Sequence, residues 1–388
     1  MKIIGLMSGT SMDGIDAALT RVTPSHRFRQ EDASMTPYPD DVRRRLARLV
    51  ERPTRADLEQ MGELSNRIGR LFADAALELM RRNGGKVDLI ASHGQTIAHF
   101  PARGRDRWSS TLQIGDLDVI AHCARVTTAG DFRWGHIAGG GQGAPLAPYF
   151  LLPLAGHSRI RRVLLNLGGI ANLTILPAGG RPDEVWGFDT GPANALLDSV
   201  VQNARRGAFD DGGRFARRGK VHRPWLQRLL ADPYFHHPPP KSTGRETFHL
   251  RWALAPRPSA GRLSLADRLA TLTELTAVTV AYSVGRWIRP LPSVIYLSGG
   301  GARNDFLVER LAARLSPIRL ANVEELGLGA DTLEAMGMAV LGYHALMGTA
   351  WTRSGGPIRM GRIVPGANWE SLLRRIKRRK LPRKFRGR

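Results

Sequence analysis

Cysteine is almost missing from this chain, since Cys123 is the one cysteine among 388 residues. A single thiol excludes an intramolecular disulfide framework and any metal site built from several cysteines. It suits a reducing compartment, and we therefore expect a cytoplasmic protein. Long apolar runs are missing too: residues 144–155, the longest candidate, carry three prolines and fall short of the roughly 18 residues of a membrane helix. We expect no membrane partner.

Acidic residues and lysines are scarce beside arginine. Lys and Arg total 57, of which seven are lysines, against 34 Asp and Glu, and the formal net charge is +23. Residues 371–388 hold ten of these cations and no acid. We predict that they form a disordered basic tail. The simpler interpretation is a solvated extension, and the alternative is a contact with nucleic acid or another anionic surface.

Several common catalytic motifs are absent. The chain has no P-loop pattern, no dinucleotide-binding Gly-x-Gly-x-x-Gly and no Gly-x-Ser-x-Gly nucleophile elbow. The histidine pairs His93/His99 and His236/His237 lack helical metal-ligand spacing and a third ligand. The sequence therefore disfavours a P-loop kinase, a dinucleotide dehydrogenase and a serine hydrolase, and it predicts no metal site beyond nucleotide-bound Mg²⁺.

Short apolar runs alternate with helical patterns, which predicts an α/β fold. The predicted strands are residues 2–7, 15–22, 87–91, 163–166, 172–176 and 294–297. The predicted helices are residues 56–82, 194–204, 265–289 and 332–347, and residues 233–247 are predicted to be a loop.

Three of the strands continue directly into glycine-rich turns, at Ser8–Gly14, Gly168–Asn172 and Gly299–Asn304. Glycine lets backbone N–H groups approach a phosphate closely, so such turns can form anion-binding nests. One turn of this kind is weak evidence because many strands end at glycine. Three of them favour a nucleotide site.

Four carboxylates accompany these turns. Asp189 follows a strand and precedes Thr-Gly-Pro, where it could act as a general base or equally cap a turn or helix. Asp13 and Asp16 could hold Mg²⁺ through water or simply form the turn. Glu334 could contact a ligand or favour the start of a helix through the helix dipole.

Taken together, these segments resemble the anhydro-N-acetylmuramic acid kinase family, sugar kinases of the hexokinase/Hsp70/actin superfamily. The resemblance runs in order over about residues 2–368. Its motifs are residues 5–16, 92–96, 112–116, 131–133, 140–146, 166–172, 187–192, 240–246, 273–277 and 298–304.

The resemblance implies a two-lobed, actin-like/hexokinase-like ATPase fold with ATP in the cleft between the lobes. Lobe I would span residues 1–127, completed by 340–370, and lobe II residues 128–339. The family uses ATP with Mg²⁺ to open 1,6-anhydro-N-acetylmuramic acid and phosphorylate its 6-oxygen, which gives N-acetylmuramate 6-phosphate in cell-wall recycling.

Residue by residue, the resemblance implies that Asp189 is the catalytic base. The first phosphate loop would be Gly9, Thr10, Ser11, Met12, Asp13, Gly14, Ile15 and Asp16. The second phosphate turn would be Gly168 and Gly169, and the adenosine turn Gly299, Gly300 and Gly301 with Asn304. The residues around the sugar would be Gln95, Thr96, Arg133 and Glu334.

The chain departs from the family's pattern at Ala193, where the family mostly has glycine, in the basic tail after Asn368, and in one further segment. After Asp131-Phe132-Arg133 the family usually has two more polar or basic residues and an aspartate, and this chain has Trp134-Gly135-His136. Two alternatives therefore stay open: a kinase of the same fold for another sugar, and a non-catalytic nucleotide-binding module whose basic tail binds nucleic acid. A homodimer is the commonest default for a soluble enzyme.

Overall fold

The computed structural model describes residues 1–9, 12–51, 58–100, 108–244, 247–255, 257–351 and 356–377. The chain divides into two compact units. Unit 1 comprises Met1–Ser158, Gly179–Glu184 and Gly327–Arg388, and unit 2 comprises Arg159–Ala178 and Val185–Leu326. These boundaries differ from the predicted lobes, because residues 128–158 and 327–339 belong to unit 1.

Unit 1 is built on a mixed sheet. Its strands are β1 (Lys2–Ser8), β2 (Gly14–Val22), β3 (Phe28–Pro37), β4 (Leu89–Phe100), β5 (Ser110–Ile114), β6 (Thr128–Gly130) and, later in the chain, β12 (Arg362–Val364). Its helices are α1 (Asp40–Glu51), α2 (Leu58–Arg82), α3 (Leu117–Ala124), α4 (Phe132–Ala138), α5 (Ala147–Ala155), α12 (Leu333–Leu346) and α13 (Trp369–Lys377). The sheet order is β12-β6-β4-β1-β2-β3, with β5 paired to β4.

Helix α12 lies directly on strand β1, which explains why the segment after residue 327 belongs to unit 1. A Cβ atom at Gly5 would lie 1.8 Å from the Ala335 carbonyl oxygen, so the contact requires glycine at that position. On the other face of the sheet, Ile4 and Leu6 belong to a buried cluster with Phe72 of α2. Burial of this apolar surface stabilises the unit.

Unit 2 contains a five-stranded sheet among its described residues, with order β11-β10-β7-β8-β9. The strands are β7 (Arg162–Leu167), β8 (Ile170–Leu176), β9 (Trp186–Pro192), β10 (Val294–Ser298) and β11 (Arg319–Asn322). The helices are α6 (Asn194–Asn203), α7 (Arg223–Leu230), α8 (Pro233–His236), α9 (Leu250–Leu254), α10 (Leu265–Trp287) and α11 (Asp305–Leu315).

The two sheets share one strand arrangement. In unit 1, β3, β2 and β1 pair antiparallel, and β4 and β6 then add in parallel. In unit 2, β9, β8 and β7 pair antiparallel, and β10 and β11 then add in parallel. The predicted α/β fold is confirmed, and it consists of two units with the same sheet topology.

Three local predictions need correction. Strand β4 continues to Phe100, past its predicted end at residue 91, because it pairs with β5 as far as Ser110. The predicted loop 233–247 contains the short helix α8. Residues 371–377 are helical within α13, whose Leu372 is fully buried, so they are not a disordered tail.

The rest of the predicted basic tail, residues 378–388, lies outside the described residues. Across the described part of the chain, no helix combines the length and the apolar character needed to span a bilayer.

Candidate active site

In unit 1, the predicted first phosphate loop joins β1 to β2 at the edge where β1 ends. Ser8 Oγ lies 2.7 Å from both the Gly14 carbonyl oxygen and Gln95 Oε1, and Gln95 Nε2 donates to the Gly9 carbonyl at 3.2 Å. Gln95 is fully buried. Its side-chain amide is therefore bonded to the loop, and its contact with the sugar stays a prediction.

The loop itself combines special backbone geometry with a tight fit. Met12 adopts a left-handed φ of 54°, and a Cβ atom at Gly14 would lie 2.5 Å from the Thr36 carbonyl oxygen. Ile15 is a core residue at 1% exposure, so only its backbone could face a nucleotide. The predicted loop residues Thr10 and Ser11 lie outside the described residues.

Asp16 stands in an acidic environment beside this loop. Burial raises its pKa to about 7, with further contributions from the charges of Asp13, Glu334 and Asp331. Repulsion among these carboxylates disfavours the ionised form, and a bound cation would relieve it. Carboxylates of this kind fit Mg²⁺, which commonly takes one or two carboxylates together with phosphate oxygens and water. Among the described residues, no group of three or more His, Cys, Asp or Glu side chains is arranged to hold a metal by itself.

Arg133, on α4, is held by two acceptors. Its Nε donates to His93 Nε2 at 2.9 Å and its NH1 donates to the Gly143 carbonyl at 3.0 Å. Because an arginine only donates, His93 must carry its proton on Nδ1, which lies 3.1 Å from the Gly94 carbonyl oxygen. Burial and the neighbouring Arg133 charge lower the pKa of His93 to about 3. His93 is therefore a neutral acceptor that orients Arg133.

Glu334 and Arg133 act on each other electrostatically. Desolvation by surrounding protein atoms raises the pKa of Glu334, and the Arg133 charge opposes that rise. The residue nevertheless has solvent-exposed surface. Thr96, the remaining sugar candidate, is partly exposed, and its Oγ1 accepts a long hydrogen bond of 3.4 Å from Gln113 Nε2. Unit 1 thus presents Arg133, Glu334 and Thr96 as polar groups available to a ligand.

In unit 2, the second phosphate turn, Gly168–Gly169, packs against the start of α6. The Gly168 carbonyl accepts from Asn194 N at 3.1 Å, and the Gly169 carbonyl accepts from Ala193 N and Ala195 N at 3.0 and 3.1 Å. In a trans peptide the N–H points opposite to the preceding C=O. The Gly169 N–H is therefore directed away from α6, as a phosphate donor needs to be.

The adenosine turn lies against this hairpin. A Cβ atom at Gly299, where φ is 79°, would lie 2.4 Å from Asn166 Oδ1, and one at Gly301 would lie 2.7 Å from Leu167 Cβ. A Cβ atom at Gly300 would meet only Asn194 Nδ2, at 3.9 Å. Packing therefore demands glycine at 299 and 301, whereas the space beside Gly300 is open to a ligand.

Asn304 has a structural assignment. Its Oδ1 accepts from Leu307 N at 3.0 Å and caps the N-terminus of α11. The Asn304 side-chain oxygen thus serves a backbone donor, and the cofactor role of this residue stays a prediction.

Asp189 lies near the C-terminal end of β9, opposite Asn172 of β8. Its Oδ2 accepts from Thr243 N at 2.8 Å. Burial raises the pKa of Asp189, while the Thr243 N–H and the Lys241 charge oppose that rise. The C-terminal ends of β7, β9 and β10 meet at one edge of this sheet, so the catalytic-base candidate and both glycine turns lie along the same edge, where α/β proteins commonly bind ligands.

His93, Lys241, Thr243 and Tyr234 are not among the site residues predicted from the sequence. The sequence could have indicated His93, Lys241 and Thr243, because each lies in a motif that carried the family resemblance. Tyr234 had no such signal: its hydroxyl donates to the Asp189 carbonyl at 2.9 Å, a contact that depends on how the chain folds back over β9.

Two α/β units of common topology, with glycine turns and a carboxylate at the C-terminal edge of a sheet, define an actin-like phosphotransferase fold. The chain belongs to the anhydro-N-acetylmuramic acid kinase family, whose model matches residues 1–353.

Relatives of that name are similar over nearly their whole length. The protein of Xanthomonas campestris pv. campestris (strain 8004) is 46% identical over 372 residues, covering 93% of this chain and 97% of the relative. That of Gloeobacter violaceus is 42% identical over 377 residues, covering 93% and 98%. Among solved structures, the ROK hexokinase from Thermus thermophilus is 14% identical, covers 88% of this chain and 99% of its own, and gives a TM-score of 0.33.

Proposed function

We propose that this protein is an ATP-dependent kinase that opens 1,6-anhydro-N-acetylmuramic acid with water and phosphorylates the freed 6-oxygen, giving N-acetylmuramate 6-phosphate. The observation that carries the proposal is the setting of Asp189 in a chain of this family. It is a partly buried carboxylate with a raised pKa, on the sheet edge that also holds two glycine turns. A raised carboxyl pKa makes a better proton acceptor.

The reaction needs one base. Asp189 takes a proton from water, and the oxygen of that water attacks C1 of the sugar. The bond between C1 and the bridging 6-oxygen breaks, and the 6-oxygen bonds to the γ-phosphorus of ATP. The bond from the γ-phosphorus to the β–γ bridging oxygen breaks, and ADP leaves. Phosphoryl transfer of this kind depends mainly on positioning and charge neutralisation.

The nucleotide contacts are assigned to the three turns. We infer that residues 9–16 and Gly168–Gly169 hold the phosphates and that Gly299–Gly301 face the adenosine. Asp13 and Asp16 would hold Mg²⁺, which when bound neutralises phosphate charge. The open space beside Gly300 and the outward Gly169 N–H support this assignment.

Arg133 is our candidate for recognising the lactyl carboxylate of the sugar. Two of its donors are fixed by His93 and Gly143, which holds the guanidinium plane in place. A planar guanidinium with remaining donors binds a carboxylate in a bidentate manner. Glu334 and Thr96 would complete the polar contacts to the sugar.

The test is ADP release with 1,6-anhydro-N-acetylmuramic acid, ATP and Mg²⁺, run beside N-acetylglucosamine and glucose. Wild type is compared with Asp189→Asn and with Asp211→Asn, a matched control whose carboxylate is exposed on the same unit. We expect turnover with the anhydro-sugar alone, lost in Asp189→Asn and kept in Asp211→Asn. No turnover with any sugar, in protein that binds ATP, would overturn the proposal.

The same assay separates the alternatives. Turnover with another sugar, abolished by Asp189→Asn, would keep the base and change the substrate. The non-catalytic module is not favoured, since Asp189 and all three glycine turns are present. We also propose a cytoplasmic location, because a single cysteine suits a reducing compartment.

A further inference from the structure

Residues 234–243 fold back over β9 and form three hydrogen bonds with Asp189. The Tyr234 hydroxyl donates to the Asp189 carbonyl oxygen at 2.9 Å. Asp189 N donates to the Lys241 carbonyl at 3.1 Å, and Thr243 N donates to Asp189 Oδ2 at 2.8 Å. The segment therefore fixes the main chain of Asp189 and one of its carboxylate oxygens. No hydrogen bond from the described part of the chain occupies Oδ1, so Oδ1 is the oxygen that would receive the proton.

The side chain of Lys241 is held inside this segment. Its Nζ donates to the carbonyl oxygens of Tyr234 and Phe235 at 3.0 and 3.3 Å and lies 4.7 Å from the centre of the Tyr234 ring. A cation over an aromatic face is attracted by the ring quadrupole. No ion pair among the described residues joins Lys241 to a carboxylate within 4 Å, so its charge acts on Asp189 through space.

The start of the segment is held by hydrogen bonds and by ring packing. Asp232 Oδ1 accepts from Tyr234 N at 2.9 Å, and Asp232 Oδ2 accepts from Trp252 Nε1 at 2.8 Å. The Tyr234 ring packs edge-on against Phe248, with centroids 5.2 Å apart. A ring fixed in this way gives Lys241 a defined place, which an exposed lysine would not have.

We propose that Lys241 and Tyr234 are positioning residues for Asp189: Tyr234 fixes the Asp189 main chain and the place of Lys241, and Lys241 holds a positive charge beside the carboxylate so that the base stays ionised. This inference rests on the proposed role of Asp189. Burial favours the protonated carboxyl, and a nearby cation favours the ionised form. Among the described residues of unit 2, Lys241 and Tyr234 are the titratable groups that interact with Asp189, and the raised pKa of Tyr234 keeps it a neutral donor.

The main test is the pH profile of kcat/KM for the anhydro-sugar. Lys241→Met removes the charge and keeps the length of the side chain. We expect its acid limb to move up by about one pH unit, which is about a tenfold loss at acidic pH, with a smaller loss on the plateau. Lys241→Arg keeps the charge and should return the limb towards wild type. Lys220→Met removes a charge from an exposed position of the same unit and should leave the profile unchanged.

Tyr234→Phe tests the second half of the proposal. It removes the donor to the Asp189 carbonyl and keeps the ring beneath Lys241. We expect a lower plateau kcat, an unchanged KM for the sugar and an unmoved acid limb, because the charge stays in place. A limb that moves as far as in Lys241→Met would contradict this division of roles.

The outcomes separate the inference from the proposed function. An active Asp189→Asn would remove the base and both proposals with it. An inactive Asp189→Asn together with a wild-type acid limb in Lys241→Met would overturn the inference alone. If Lys241→Met loses the fold by thermal melting, Lys241→Gln, which keeps an N–H donor without the charge, takes its place. Equal losses at every pH in that variant would mean a purely structural lysine and would equally overturn the inference.

Discussion

Two neighbouring glycines allow the nucleotide assignment to be tested by one added methyl group. A Cβ atom at Gly300 meets nothing closer than Asn194 Nδ2 at 3.9 Å, whereas one at Gly301 lies 2.7 Å from Leu167 Cβ and 2.9 Å from its carbonyl oxygen. Gly300 also lacks a positive φ. Gly300→Ala should therefore leave stability unchanged or raise it by about 0.4–1 kcal/mol, because alanine restricts the unfolded chain. Gly301→Ala should cost about 1–3 kcal/mol through overpacking.

ATP binding should respond in the opposite order, with Gly300→Ala affected more than Gly301→Ala. If adenosine lies against Gly300, an added methyl group costs about 1–3 kcal/mol of nucleotide binding, so the KM for ATP should rise about tenfold or more. The assay is ADP release at saturating sugar with ATP varied, beside thermal unfolding of both variants. A Gly300→Ala protein with wild-type KM for ATP would refute the placement of adenosine at this turn. A Gly301→Ala protein as stable as wild type would refute the steric argument.

Three further predictions concern stability, pH and the basic tail. Glu274→Gln should lower the free energy of unfolding by about 1–3 kcal/mol in urea denaturation. The reason is that the buried carboxylate accepts from Arg310 and Arg314, which are themselves partly exposed. An unchanged free energy of unfolding would mean that these ion pairs make no net contribution. The wild-type kcat/KM should fall as pH decreases, with an apparent pKa above the usual carboxyl range, because burial raises the pKa of Asp189. Activity that persists down to the usual carboxyl pKa would contradict this prediction. Removal of residues 378–388 should leave kcat/KM within about twofold of wild type while weakening any salt-sensitive retention of duplex DNA; DNA binding unaffected by the deletion would exclude the tail as its cause.

Strand positions were predictable because apolar periodicity determines them. The predicted strands 2–7 and 294–297 match β1 and β10 to within one residue at each end. The end of β4 was not predictable, because a glycine such as Gly94 looks like a strand terminator in sequence. In the structure Gly94 has a φ of 73°. Pairing with β5 carries the strand through that glycine. Tertiary contacts here override a local signal, as they often do at bulged strands.

The structure gives the predicted site residues their positions in the fold, and their roles stay predictions. The Gly168 and Gly299 turns follow β7 and β10, as the strand-then-turn pattern predicted, whereas Asp189 lies within β9 near its C-terminal end. Gln95, Ile15 and Asn304 belong to such motifs, but Gln95 bonds to Ser8, Ile15 is buried in the core and Asn304 caps α11. A motif marks a stretch of backbone, and only packing decides which side chains face away from the core.

In the segment that departs from the family's pattern, packing again decides which side chains face away from the core. His136 is buried, accepts from Gly143 N at 3.1 Å through Nδ1, and lies 3.1 Å from the Tyr149 hydroxyl through Nε2. A Cβ atom at Gly135 would lie 2.6 Å from Met360 Cα. Both residues are therefore required by the packing around α4, and neither offers a side-chain group to a sugar.

Trp134 is then the residue of that segment through which substrate preference could differ, because it is 46% exposed. Its neighbour Arg133 keeps the hydrogen bond to His93, so the group assigned to the lactyl carboxylate is unaffected by the altered sequence. If Arg133 binds the lactyl carboxylate as proposed, a neutral sugar would leave the guanidinium without that anionic partner. On that role we expect the anhydro-sugar to be preferred over neutral sugars, although the segment beside Arg133 departs from the family's pattern.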